Sequence, residues 1–200
     1  MTSDLEERHM KLIVIEHQHG AGGSHHVDVL AASLERLGVS AHAFHPTAPA
    51  TRDPYLAALT YAIERRRLVE WCERPGTPSV LVTDRWHFST EVVGYTTRQD
   101  ALHALASAER QALPAPALVL VLDAPDVVLD ARIEARGAAV TDVDRAARPW
   151  YRDRNVLRSW GAEVVDTSGP VEEVEARILA RALAALGVPG WDANGSQVVP

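Results

Sequence analysis

The sequence predicts an α/β domain, a parallel sheet with helices on both faces. Two observations predict it. Five short apolar runs, each of strand length, are spaced along the chain. Between them lie segments whose apolar residues recur at helical spacing, and strict alternation of the two is the pattern of a parallel sheet. At 200 residues the chain suits one domain with a sizeable core.

Each element can be justified in order. KLIVIE (11–16) is a β-branched run, a buried strand. SHHVDVLAASLERLG (24–38) is a helix: Val27, Leu30, Leu34 and Leu37 fall at helical spacing, and Gly38 suits a C-terminal cap. VSAHAF (39–44) is the second strand, ending at His45-Pro46. Residues 46–54, PTAPATRDP, form a loop of the kind that collects sites in open parallel sheets. Residues 53–73 are helical, in one or two pieces. SVLVTD (79–84) is the third strand, and 87–95 and 98–111 are helices. ALVLVLD (117–123) is the fourth strand. PDVVLDARIEARG (125–137) is a helix with proline in its first turn and glycine at its end. An Arg-rich stretch (142–159) precedes the fifth strand, AEVVDT (162–167). VEEVEARILARALAAL (171–186) is an amphipathic helix with acidic residues in its first turns. The domain is expected over 1–188, with 189–200 a flexible tail.

Composition excludes several classes. No apolar run approaches the roughly 20 residues of a membrane span. The start, MTSDLEERHM, is polar and acidic, unlike a secretory signal or transit peptide. One cysteine, Cys72, allows no internal disulfide and fits a buried thiol in the cytoplasm. The net charge of −7 disfavours nucleic acid polymers and acidic membranes as partners. Of 20 basic residues only Lys11 is lysine. Any phosphate clamp must therefore use arginine, histidine or backbone N–H groups.

The turn after the first strand is the most informative stretch. A phosphate-binding loop needs glycines for close backbone approach, with a helix N-terminus behind them. Its usual pattern is G-x-x-x-x-G-K-S/T. Here it reads His17-Gln18-His19-Gly20-Ala21-Gly22-Gly23-Ser24. Gly22 and Ser24 fit; His17 stands for the first glycine and Gly23 for the lysine.

With its neighbours, this stretch resembles the thymidylate kinase family over most of the chain. Glu16, Gly20, Gly22 and Ser24 match that family's E-G-x-D-G-x-G-K-S-T loop. Asp84-Arg85-Trp86-His87-Phe88-Ser89-Thr90 resembles its D-R-Y/H motif with following hydroxyl residues, and Ala62-Ile63-Glu64-Arg65 its D-R-A helix. VLVLDAPDVVLDARIEARG, WYRDRN (150–155) and VVDTSGPVEEVEARI resemble its fourth strand with helix, its lid and its ending.

The resemblance implies a three-layer P-loop-kinase-like domain with an Arg-rich lid near 137–152. It implies a phosphotransferase for a nucleoside monophosphate or related small phosphate-bearing substrate, with ATP and Mg2+ as cofactors and a homodimer as assembly. Asp84 would help hold Mg2+ through water, and Arg85 would clamp the acceptor phosphate. Arg65, Phe44, His45, Ser89 and His19 would line the substrate. Backbone amides around Gly20, Gly22, Gly23, Ser24 and His25 would cradle donor phosphates. A lid arginine, Arg136, Arg145 or Arg148, would replace the missing lysine charge, with Arg148 the catalytic choice. The bland alternative is that these arginines pair with nearby aspartates in solvent.

Departures from the pattern leave other readings open. His19 replaces the family's acidic loop residue, Phe44-His45-Pro46 its R-E-P, and no glutamine stands ready to read a base. Thymine selectivity is not expected. Without the lysine, a kinase-fold protein that binds a nucleotide or partner without turnover is also consistent. So is a non-kinase enzyme using His17, His19, His25 and His26. That cluster suits a divalent metal, phosphate contact or polar filler. Adjacent helical positions diverge by about 100°, so one ion held by all four is not expected.

Overall fold

The computed structural model describes residues 10–189, so the expected tail lies outside the described residues beyond 189. The strands are β1 (Lys11–His17), β2 (Ala41–Phe44), β3 (Val80–Asp84), β4 (Leu118–Asp123) and β5 (Ala162–Asp166). The helices are α1 (Gly23–Arg36), α2 (Pro54–Cys72), α3 (His87–Thr97), α4 (Asp100–Ala112), α5 (Asp126–Ala135), α6 (Asp142–Arg152), α7 (Arg154–Trp160) and α8 (Val171–Leu186). The predicted α/β class is what the chain adopts. All five strands are parallel, in the order β2-β3-β1-β4-β5. Among the described residues no helix is long and apolar enough to cross a membrane.

Period-two alternation divides the core between the two faces. Ile13, Ile15, Val80, Val82, Leu118 and Leu120 pack under α1 and α8, against Leu30, Leu34, Ile178 and Leu183. Leu12, Val14, Leu81, Val119 and Val121 face the other way, toward Leu68 of α2, Phe88 of α3, Tyr151 of α6 and Trp160 of α7. Both faces of the central strands are covered, which is why those strands read as unbroken apolar runs rather than alternating ones.

Two segments resolve more sharply than the sequence allowed. Residues 54–72 form a single helix, capped by Asp53, whose side chain accepts from Leu56 N, with Pro54 at the first turn. The Arg-rich stretch forms two helices. Thr141 and Asp144 make a reciprocal capping box at the start of α6, and Asp153 caps α7. The expected lid is thus mostly helix α6, which packs on α3.

The strand order positions the site. β1 and β3 are neighbours, yet β1 hands the chain to α1 on one face and β3 hands it to α3 on the other. Such a divergence opens a crevice at the carboxyl ends of the two strands.

Candidate functional site

His17 ends β1 and Asp84 ends β3, and they meet at that crevice. His17 Nε2 lies 2.7 Å from Asp84 Oδ1, and Ser24 Oγ donates to Asp84 Oδ2 at 2.5 Å. His45, just after β2, adds Nδ1 at 3.2 Å from the same oxygen, while its Nε2 lies 2.9 Å from Asp28 Oδ1. Burial alone would raise the Asp84 pKa, but the bond and charge of His17 and the bonds from Ser24 and His45 hold it below the usual carboxylate range. Asp84 is therefore ionised and its oxygens are occupied. The His17 pKa is lowered, by burial and then by the Arg85 charge, against the opposing pull of Asp84.

Gly23 explains how this arrangement fits into the turn. A Cβ at residue 23 would lie 1.9 Å from His17 Cδ2 and 2.2 Å from its Nε2. The imidazole occupies the volume where a side chain at 23 would start. The two departures from the loop pattern, histidine at 17 and glycine at 23, are one change: a ring placed where an ammonium stem would run. Gly20 is needed for another reason. Its φ is +87°, and a Cβ there would meet the Leu129 carbonyl oxygen of α5 at 2.7 Å.

Arg85 follows Asp84 with φ of 70°, in the left-handed region that a non-glycine residue seldom occupies. Both ends of its peptide are fixed: its N–H donates to Ile15 O at 3.0 Å, and its carbonyl accepts from Thr83 Oγ1 at 3.0 Å. The guanidinium reaches hydroxyls, Ser89 Oγ at 3.3 Å and Tyr151 Oη at 3.5 Å. Among the described residues no carboxylate lies within 4.0 Å of it. Glu16, fully buried at the end of β1, sits behind it, accepting from Ser89 Oγ at 2.5 Å and Trp86 N at 2.6 Å. Burial raises the Glu16 pKa and pushes Tyr151 up to about 12, so that phenol stays protonated. Burial opposes the Arg85 charge, but Tyr151, Glu16, Asp84 and Tyr61 outweigh it and raise its pKa.

The other expected residues are dispersed. Arg65 is 3% exposed and forms a two-pronged pair with Glu109, both contacts at 2.7 Å, with a further bond to Thr90 Oγ1. That guanidinium holds α2 to α4, and no substrate contact is left for it; the expectation of a substrate-binding Arg65 gives way to a structural one. Arg148 is 5% exposed and paired to Asp130 and, at 3.4 Å, Asp126 of α5. It pins α6 to α5, so the lid charge expected at the turn is spent elsewhere. Arg145 is exposed beside Asp142, and Phe44 packs against the α2 side of the core. His19 is exposed and 3.3 Å from Asp144 Oδ1, while Ser89 lies beside Arg85 and accepts from its guanidinium at 3.3 Å. Sequence reasoning did not single out Tyr151, although it lies within WYRDRN, nor Tyr61, nor the part-buried hydrogen bond from Gln18 Nε2 to Asp123 Oδ1 at 2.5 Å. Glu16 was visible as a match, and its carboxylate at the end of an apolar strand was the signal for a buried role.

On the opposite side of the glycine turn lies a cavity of about 220 Å³, lined by Gly20, Gly22, His25, Arg132, Arg136 and Thr167 among others. Arg132 is anchored by Thr167 O at 2.7 Å. Among the described residues no side chain caps α1, so its first amides face this rim without a side-chain acceptor. The ATP and Mg2+ implied by the kinase resemblance can be tested against these residues. Ser24 and Asp84 are adjacent, as an Mg2+ pair would be. Yet Asp84 is already engaged by His17, Ser24 and His45, His17 fills the lysine volume, and Arg148 is turned away. The turn does not fit a donor triphosphate held by a side-chain cation.

Compared with protein-family models and with curated proteins, the sequence matches none.

Proposed function

We propose that the chain binds a phosphate monoester of nucleotide-like size at Arg85 and does not transfer phosphate through its glycine turn. One observation carries this reading. Arg85 is a permanent cation at the carboxyl edge of the sheet, fixed in a left-handed backbone conformation and lacking a carboxylate partner among the described residues. Such strain costs on the order of 1–3 kcal/mol and persists where the surroundings enforce it. A guanidinium in that state suits a two-pronged bond to phosphate. The protonated Tyr151 phenol supplies another donor beside it. The nucleotide-like size comes from the resemblance to thymidylate kinases. The absence of turnover follows from charge: phosphoryl transfer depends on cations placed around the moving group, and none stands at residue 23.

A second reading, a working phosphotransferase, is favoured by the cavity with Arg132 and Arg136 beside the first amides of α1. Calorimetric titration with nucleoside monophosphates, inorganic phosphate and ATP–Mg2+, with a parallel assay for ADP, separates the two. Saturable binding of a monophosphate, lost in Arg85→Ala and without ADP formation, supports the first. Monophosphate-dependent ADP formation supports the second. Absence of any monophosphate binding overturns both.

A further inference from the structure

The histidine-rich turn divides in two. His17 goes inward to Asp84 and His19 outward to Asp144. His25 and His26, adjacent on α1 and expected to diverge, instead both reach α8. One ligand atom from each of His25, His26 and Glu175 lies within 4.8 Å of the others. The rings pack edge to face with centroids 5.1 Å apart, and His25 Nε2 is 2.9 Å from Glu175 Oε1. We propose that His25, His26 and Glu175 bind a divalent metal of the zinc class, with an open coordination position toward the cavity beside Gly20 and Gly22.

Four features support it. First, the donor set of two imidazoles and one carboxylate is one that zinc uses in sites that keep a position open. Second, His26 is only 5% exposed and its Nδ1 has no hydrogen-bond partner among the described residues. A buried imidazole without a full set of partners is costly unless something meets it. Third, the donors come from two helices packed on each other, α1 and α8, so regular structure holds the cluster. Fourth, the ligands can close. Tetrahedral zinc with bonds of about 2.0 Å holds its ligand atoms about 3.3 Å apart. His25 is exposed and Glu175 half-buried, so both are free to turn that far about their side-chain torsions. Arg132 and Arg136 line the same cavity, so an anion completing the metal's coordination would also meet guanidinium groups. This inference does not depend on the reading of Arg85.

The test is a titration of chelator-treated protein with Co2+, followed by visible absorption, and then displacement by Zn2+. The expected result is one saturable site of micromolar or tighter affinity with the intense spectrum of four- or five-coordinate Co2+. Glu175→Gln and His25→Ala, both at accessible positions, should weaken it about tenfold or more. His19→Ala should leave it unchanged. His26→Ala should abolish it, and circular dichroism of that variant checks that it is folded. A featureless titration of the native chain overturns the proposal. So does binding that survives both His25→Ala and Glu175→Gln.

Discussion

Replacing Gly23 by alanine tests whether His17 really occupies the side-chain volume of the turn. The new methyl would start 1.9 Å from His17 Cδ2, whereas carbon atoms in contact sit about 3.5–4.0 Å apart. The ring must therefore retreat by about 2 Å. It is buried and bonded to Asp84 at 2.7 Å, so the retreat loses a bond to an ionised acceptor, about 1.5–3 kcal/mol. Crowding of the surrounding core adds about 1–3 kcal/mol, and the better helix propensity of alanine returns at most about 1 kcal/mol. The net loss is about 2–5 kcal/mol, or a fall in Tm of roughly 5–15 °C for a chain of this size. Urea unfolding followed by far-ultraviolet circular dichroism measures it. A double-mutant cycle with His17→Gly isolates the cause. With the ring gone, Gly23→Ala should be neutral or mildly stabilising, a coupling of about 2 kcal/mol or more. Costs that add within about 0.5 kcal/mol would refute the reasoning, because they would mean that the ring and residue 23 do not compete for one space.

Other outcomes follow from the same contacts. Arg65→Met should destabilise the fold by about 3–5 kcal/mol by stranding Glu109, while the folded fraction keeps its monophosphate affinity; a loss of affinity larger than the loss of folded protein contradicts the structural role. Arg85→Lys should weaken monophosphate binding in calorimetry about tenfold or more, since a point charge cannot replace a two-pronged donor; equal affinity contradicts it. Stability should fall on acidification. His26 and His87 have pKa values pushed down by burial to about 4 and about 3. Both lie below the unfolded value near 6.5, so the unfolded chain takes up protons first. The loss begins as pH drops below about 6.5 and runs at roughly 1 kcal/mol per pH unit for each ring, toward their folded values. Thermal melts between pH 7.5 and 5 check this, and a flat Tm contradicts it.

The fold was legible because its signals are local. Runs such as KLIVIE and ALVLVLD are too short and too β-branched for helices, and Gly38 and Asp53 mark helix ends within a residue or two. Asp84 and Arg85 stood out through their place, at the end of the third strand, in a series of partial matches to the thymidylate kinase pattern. What stayed hidden depends on partners distant in sequence. Nothing near Arg65 announces Glu109, 44 residues on, and nothing near Arg148 announces Asp130 on another helix. The pairing of His17 with Gly23 was visible as two separate anomalies, and only the folded turn makes them one. That one ligand atom of each of His25 and His26 lies near the same glutamate of α8 was also out of reach, because Glu175 is about 150 residues away in sequence.

The most direct test of the central claim is a crystal structure of the chain soaked with a nucleoside monophosphate. The account predicts the phosphate within about 2.9 Å of both terminal nitrogens of Arg85, the Tyr151 hydroxyl alongside it, and His17 still against Gly23. A phosphate held instead by the amides of the glycine turn, with Arg85 unchanged on Ser89 and Tyr151, would contradict it.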